Sequence, residues 1–444
     1  MTQSRDPQDD GKAAGENAEH TPPASRIRRR TFLQQSAAIG VGALALGGRP
    51  SSADADPADS SNPASAKGGT AKSTVRRYKP LGKTGLEISD ISFGTGALKH
   101  PRLLEIGLDR GINYFDTAES YPLGSFGAAE KAMGLALRSK RKDLVIASKA
   151  VVRPQDKRLQ IMKKLNASLR RLQTDYIDVY FSHAVNDIAR LENDEWFEFV
   201  EIAKKQGKIR FSGMSGHGGH LIACLDYAID NDLVDVILAA HNFGQDPAFY
   251  ARFLKSMDIV AIQVDLPRVF AKAHAKGIGV IAMKTLMGAK LNDLRAFEVE
   301  GGTFSQAAFR WVLSSPDVDA LIVTMDSEAK LDEYLTASGT ATVTASDYAL
   351  LERYAMTNGL SYCRHGCEVC VSSCAEGVPI PELLRTRMYA TDYGDLALAR
   401  GSYLELGDAA SPCLTCTTPT CVGACPVGID IPSRTRTLPA LLRG

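Results

Sequence analysis

Eight short apolar runs recur along the chain at regular intervals, each followed by a longer amphipathic segment. The runs are "DISFGT" (90–95), "INYFDT" (112–117), "LVIASK" (144–149), "IDVYFSH" (177–183), "IRFSGMS" (209–215), "VDVILAA" (234–240), "GVIAMK" (279–284) and "ALIVTM" (320–325). Near-continuous apolar strands with helices between them predict a parallel sheet covered on both faces. The spacers suit helices: in "LQIMKKLNASLRRLQ" (159–173), Ile161, Leu165, Leu169 and Leu172 share one face. Eight such units in roughly 250 residues fit a (β/α)8 barrel, the TIM-barrel architecture. A doubly wound open sheet is the alternative, but no G-x-G-x-x-G follows the first run.

In such a barrel, chemistry is offered where strands end at the C-terminal mouth. The second run ends at Asp116 with Tyr121 in the loop beyond, the third at Lys149 and the fourth at His183. A tyrosine hydroxyl, with a reference pKa of about 10, is a weak acid at neutral pH. A nearby ammonium is expected to lower it, an aspartate to hold that ammonium, and a neutral imidazole to orient a carbonyl. Together they would give a proton to a carbonyl oxygen as hydride reaches its carbon. Taken singly, a Lys–Asp pair, a loop histidine and an exposed tyrosine are each commonplace. Their convergence from neighbouring strand ends favours the catalytic reading.

The stretches "YKPLGKTGLEISDISFGTGAL" (78–98), "GINYFDTAESY" (111–121), "LVIASK" (144–149) and "DYIDVYFSH" (175–183) resemble the aldo-keto reductases, over about 78–335. The resemblance implies that "LGKTGLEIS" forms a hairpin plugging the barrel floor. It implies a catalytic tetrad of Asp116, Tyr121, Lys149 and His183, with Tyr121 the general acid, and a nicotinamide nucleotide, NADP or NAD, bound without a Rossmann domain. Ser215, His241, Asn242, Lys284, Ser327 and Lys330 fall at or near cofactor-lining positions. Some of these depart from the family pattern. Ser215-Gly216 stands for Ser-Asn, Leu238 for a glutamine, His241-Asn242 for Tyr-Asn, and Thr324 for a glycine. His241 would replace the ring that stacks on the nicotinamide. Ser327 and Lys330 also read simply as a helix start.

Eight of the nine cysteines lie in two groups after residue 360: Cys363, Cys367, Cys370, Cys374, and Cys413, Cys416, Cys421, Cys425 followed by Pro426. Disulfide staples would be spread more widely, and zinc sites usually pair C-x2-C knuckles across a longer loop. Both groups resemble the ferredoxin pattern C-x2-C-x2-C-x3-C-P with one or two added residues. Group one has Ala375 where proline is expected. The tails "CAEGVPIP" (374–381) and "CPVGIDIP" (425–432) correspond, which suggests a duplication. Iron–sulfur is favoured over zinc and disulfides, in the form of two 4Fe-4S clusters. By that resemblance the fourth cysteine of each group serves the other, setting Cys363, Cys367, Cys370 and Cys425 together, and Cys374, Cys413, Cys416 and Cys421. A subset of bacterial aldo-keto reductases resembles the whole layout of barrel and ferredoxin-type C-terminus. Cys224 sits on an apolar helical face and reads as core.

The N-terminus reads as an export signal. Arg29-Arg30-Thr31-Phe32-Leu33 resembles the twin-arginine motif, the apolar stretch 36–48 is too short to span a bilayer, and Ala53-Asp54-Ala55 offers a cleavage site. Three regions are expected: 1–75, a disordered leader and linker; 76–345, the barrel; 346–444, a small, mostly helical ferredoxin-like iron–sulfur domain. Lys+Arg number 52 and Asp+Glu 51, so nothing favours nucleic acid as a partner. The expected activity is hydride transfer between a nicotinamide nucleotide and a small carbonyl or alcohol, coupled to 4Fe-4S electron transfer. A redox partner protein is a further expectation, as is a periplasmic location, with membrane contact only through the signal. The alternative is an electron-transfer protein on a barrel that has lost hydride chemistry.

Overall fold

The computed structural model of the chain describes residues 72–122, 125–218, 220–245, 265–286, 297–299, 301–358, 363, 367–391, 396–426 and 428–443. The expected export signal and its cleavage site lie outside these residues. Among the described residues no helix is long and apolar enough to cross a membrane.

Each of the eight apolar runs is a strand: β3 (Ile91–Gly94), β4 (Tyr114–Asp116), β5 (Val145–Ala150), β6 (Ile177–Ser182), β7 (Ile209–Gly216), β8 (Val236–Ala240), β9 (Gly279–Met283) and β10 (Ala320–Val323). All pair in parallel in chain order, and β10 returns to β3 through Leu321 opposite Ile91 and Val323 opposite Phe93. The sheet is therefore a closed (β/α)8 barrel, and no barrel strand has a free edge.

Side-chain parity divides the barrel in two. Tyr114, Val145, Ala147, Val179, Phe181, Val236, Leu238, Ile281, Ala320 and Ile322 fill the interior. Phe115, Ile146, Tyr180, Ile237 and Ala239 face the helices and join the larger core around the barrel. The helices bury their apolar stripe there: Ile161, Leu165, Leu169 and Leu172 of helix Arg158–Leu172 are all buried. The antiparallel hairpin β1 (Tyr78–Pro80) and β2 (Glu87–Ser89) precedes the barrel. Its Leu81, Leu86 and Ile88 belong to the interior cluster, so the hairpin stoppers one end. Burying each such side chain contributes about 1.5–3 kcal/mol.

The helix Ala345–Asn358 gives Leu350, Leu351 and Tyr354 to the barrel's outer core. A second core gathers only after it, from Cys370, Val378, Ile380, Leu383, Leu384, Ala390, Ala399, Cys421, Ile429, Ile431, Leu438 and Leu442. The elements described in this region are all helices, and its two halves share a turn geometry. Gly377 and Gly428, at matching places in "CAEGVPIP" and "CPVGIDIP", have φ of 57° and 67°. Their amides donate to the carbonyls of Cys374 and Cys425, each at 3.1 Å. Each turn then leads through an Ile-Pro step into a helix, Ile380–Thr391 and Ile431–Arg436.

The hairpin depends on Gly82, whose φ is 49° and whose added Cβ would lie 2.5 Å from the carbonyl oxygen of Gly277. Alanine there incurs about 1–2 kcal/mol for the left-handed backbone and roughly 1–3 kcal/mol for the clash. Gly82→Ala should accordingly lower the denaturation midpoint clearly; an unchanged midpoint would mean the stopper is not packed this way.

Candidate active site and thiol centres

The interior parity of β4, β5 and β6 continues one step past the last apolar layer. Asp116 follows Tyr114, Lys149 follows Ala147, and His183 follows Phe181. The three side chains thus emerge together at the mouth, and Tyr121 joins them from the loop after β4. Lys149 Nζ donates to Asp116 Oδ1 at 2.5 Å and to the carbonyl of Thr117 at 2.7 Å. Both partners are buried, at 1% and 2% side-chain exposure. Tyr121 OH lies 3.5 Å from His183 Nε2, with the rings edge to face at 5.6 Å. Lys149 Nζ is 5.0 Å from the centre of the Tyr121 ring.

Burial pushes the Asp116 carboxyl up and the Lys149 ammonium down, and each charge opposes the other's shift. The pair is ionised, because two oxygens at close range hold the ammonium. The expected lowering of Tyr121 by lysine is not what the geometry gives. Burial, then the Asp116 carboxylate, then Tyr389 raise the phenol above its ordinary value. The lysine's charge is engaged by Asp116, so it does not lower the resting phenol. Tyr121 is firmly protonated, which suits a proton donor to a developing oxyanion. Burial, helped by the cations Lys149, Arg190 and Lys284, takes His183 down to about 3, so its ring is neutral.

Arg190 was not singled out by its sequence context, an ordinary polar "DIAR", yet it holds this mouth in place. It donates to the carbonyls of His183 at 2.7 Å, Ala184 at 2.6 Å and Val152 at 2.6 Å. It thereby fixes the turn at Ala184, whose φ is 53°. Ser215 Oγ accepts from the amide of Ala184 at 3.0 Å, bracing the same turn.

The other expected nucleotide contacts are scattered. Asn242 continues the interior parity of β8 and donates to the Lys284 carbonyl at 3.3 Å. His241 has the opposite parity. Its ring packs 5.1 Å from Phe270 and 5.0 Å from Trp311, in the layer between barrel and helices. The ring expected at the nicotinamide is thus engaged, edge-on and tilted, with the protein's own aromatics. Ser327 caps helix Glu328–Leu335 through the amide of Lys330 at 3.3 Å. Lys330 Nζ pairs with Glu333 at 2.6 Å. Lys284 follows β9 with φ of 58°, and burial, then the charge of Arg385, push its ammonium well down. Among the described residues, Asp116 Oδ2, Thr117 Oγ1, His183 Nδ1 and Thr285 Oγ1 are buried without a hydrogen-bond partner. Such orphaned groups at one mouth fit a site that a polar ligand completes.

The two cysteine runs interleave. Cys363, Cys367 and Cys370 line one cavity together with Cys425 of the other run, among Leu384, Pro426, Ile429 and Ile431. Cys374 in turn bears electrostatically on Cys413 and Cys421, as does Cys416. All eight are free thiols. Burial pushes Cys363 and Cys370 up to about 12. The amide of Ile429 donates to Cys425 Sγ at 3.4 Å. Among the described residues no three His, Cys, Asp or Glu converge closely enough to hold a single metal ion. His365 lies outside them.

The histidines give a direct check. His183 is held down to about 3 and His241 to about 4, each chiefly by burial. A depressed histidine contributes stability that is complete above its unfolded pKa of about 6.5 and is lost as pH falls toward the folded value. Ring NMR signals of both should stay neutral from pH 8 to 5, and stability should decline as the solution is acidified below about 6.5. Titration of the His183 ring near 6.5 would contradict this enclosure.

Residues 97–299 match the family described as "Aldo/keto reductase family". The chain is 30% identical over 202 residues to "Uncharacterized oxidoreductase YqkF" of Bacillus subtilis, covering 42% of this chain and 63% of that protein's length. It is 27% identical over 307 residues to the "Probable voltage-gated potassium channel subunit beta" of Arabidopsis thaliana, covering 59% and 90%. A solved structure, aldo-keto reductase AKR11C1 from Bacillus halodurans in its holo form, superimposes with a TM-score of 0.47 at 23% identity, over 62% and 95% of the two chains. The likeness to that family's model thus extends over residues 97–299, a little under half of the chain.

Proposed function

We propose that the protein is a carbonyl/alcohol oxidoreductase in which Tyr121 exchanges a proton with the substrate oxygen. The observation that carries the reading is the joint geometry of the mouth: a protonated phenol 3.5 Å from a neutral imidazole, beside a buried Lys–Asp pair. A carbonyl oxygen placed against Tyr121 and His183 would meet two proton-bearing groups. As negative charge develops on that oxygen, Tyr121 gives up its proton. The Lys149 ammonium, 5.0 Å from the ring, opposes the resulting phenolate charge, and Asp116 keeps the ammonium in place. Burial of the four groups strengthens each of these interactions by excluding water.

A nicotinamide nucleotide, NADP or NAD, supplies hydride when bound, and 4Fe-4S clusters accept or release single electrons. The orphaned polar atoms at the mouth favour a bound polar cofactor there. The two interleaved thiol sets, one within an apolar cavity, favour two clusters over a lone zinc ion, for which four ligands must converge at about 2.3 Å from one centre. Hydride carries two electrons, and two clusters could together hold that pair. The twin-arginine segment extends the proposal to export, with the nucleotide held tightly because the exported protein leaves the cytoplasmic nucleotide pool.

A second reading is an electron-transfer protein whose barrel no longer performs hydride chemistry. It is favoured by His241, engaged with Trp311 and Phe270, and by Ser327 and Lys330, engaged in their own helix.

Tyr121→Phe should lower carbonyl reduction by about 10²–10⁴, the usual worth of a positioned acid, while nucleotide binding persists. Wild-type activity left intact in that variant would remove Tyr121 from the chemistry. Protein purified without air should contain iron and acid-labile sulfide near eight atoms of each, the content of two 4Fe-4S clusters. Added NADPH should bleach its visible absorption. Redox-active clusters with no nucleotide binding would select the second reading, and iron-free protein would remove the second reading and the cluster coupling of the first.

A further inference from the structure

The His183 ring has little of its own to hold it. Its Nδ1 is buried and, among the described residues, without a hydrogen-bond partner, and its Nε2 meets only Tyr121 OH at 3.5 Å. A histidine that acts through one ring nitrogen is commonly oriented by a hydrogen bond at the other. Within this protein that bond is missing, so the direction of the ring is set by the backbone that carries it.

That backbone turns sharply. Ala184 follows with φ of 53°, a left-handed setting that is disfavoured for any residue with a Cβ and persists only where its surroundings enforce it. The amide of His183 donates to the carbonyl of Ala150 at 2.9 Å, that of Ala184 to Ser215 Oγ at 3.0 Å, and that of Val185 to the carbonyl of Ser215 at 2.7 Å. These bonds hold the amide side of the turn from the strands on either side of it. The carbonyl side belongs to one residue. Arg190 Nη2 donates to the His183 carbonyl at 2.7 Å, and Nη1 to the Ala184 carbonyl at 2.6 Å. Its Nε donates to the Val152 carbonyl at 2.6 Å, three residues beyond Lys149, and a weaker bond runs from Nη2 to Ser182 Oγ at 3.4 Å. A guanidinium is planar and presents its donors in a fixed fork, so these carbonyls are held at set angles to one another. The fork therefore spans the chain ends that carry Lys149 and His183. It works from behind the mouth, since none of its hydrogen bonds goes to Tyr121 or Asp116. Its charge also opposes protonation of the His183 ring.

We propose that Arg190 is a positioning residue for the reaction: it aims the His183 imidazole through the carbonyls of His183 and Ala184 and fixes it relative to the strand end that carries Lys149. The inference rests on the oxidoreductase reading for the rates it predicts, but not for the orientation of the ring.

The test compares the full chain as wild type, Arg190→Gln, Arg190→Lys, His183→Ala and the double variant of His183→Ala with Arg190→Gln, using benzaldehyde and NADPH as probes. Arg190→Gln should lower kcat by about 10², the effect of displacing a reacting group by roughly 1 Å, with KM nearly unchanged. Arg190→Lys should recover little of it, because an ammonium cannot serve the carbonyls as a fork. In the His183→Ala background the same glutamine should have almost no effect, since no ring is left to aim. A wild-type rate in Arg190→Gln, an equal loss in both backgrounds, or full recovery by lysine overturns the proposal. Where the wild type or His183→Ala shows no measurable rate, ring NMR signals decide. Those of His183 should move or broaden in Arg190→Gln, while those of His241, which packs between barrel and helices, stay in place. That result upholds the positioning role even if the reductase reading has failed. Unmoved His183 signals, or movement of both rings together, end the proposal. If Arg190→Gln does not fold, Arg190→Lys takes its place in each comparison.

Discussion

The return of β10 to β3 is the constraint on which the rest of the barrel depends. A closed parallel sheet has no edge, so every strand is paired on both sides and its interior must be filled with side chains. Here the filling is apolar from the hairpin stopper up through Tyr114, Ala147 and Phe181. Polar chemistry can be displayed only where that filling stops. Asp116, Lys149 and His183 are the next inward positions on three adjacent strands, so their convergence follows from closure and parity. Only Tyr121 needs a loop to bring it in.

Desolvation dominates the charges at this mouth. It raises Tyr121 and Asp116 and lowers Lys149, His183 and Lys284, favouring the neutral form of every group. What survives as charge must have a close counter-ion, and Lys149 has one at 2.5 Å. The consequence for mechanism is a phenol that keeps its proton until substrate charge demands it. A phenol activated in advance by a free ammonium would be easier to ionise but would be a poorer guardian of the proton it must deliver.

Much of this was legible because strand parity and helix periodicity are local. All eight barrel strands stand where the apolar runs put them, with Asp116, Lys149 and His183 at their ends; the hairpin came from the family resemblance. The ferredoxin resemblance implied a grouping of Cys425 with Cys363, Cys367 and Cys370, and these four line one cavity. His241 was misplaced by residue-for-residue likeness, although parity carried the answer: with Leu238 facing in, position 241 must face out. The helix Ala345–Asn358 looked like the start of the second region because nothing local says which core an amphipathic face will join. Glu382, Arg385 and Tyr389, which lie on helix Ile380–Thr391 and bear on Lys284 and Tyr121, were missed for a related reason. A polar face at spacings of three and four reads as solvated, and only tertiary packing turns it onto the barrel.

The repeat in the cysteine region bears on how that face came to matter. Aligning the two Ile-Pro steps puts Arg385 and Arg436 at the same position of their helices. Arg436 stays within its own half, donating to the carbonyls of Cys413 and Cys416. Arg385 likewise bears on Cys363, the first cysteine of its half, but it also reaches Lys284 and Tyr389. One arginine of the pair therefore serves a thiol centre alone, and the other stands between a thiol centre and the barrel mouth. The charge of Arg385 lowers the pKa of Cys363 and that of Lys284 alike. Charges in such an enclosure are weakly screened, so one guanidinium can act on groups of both regions.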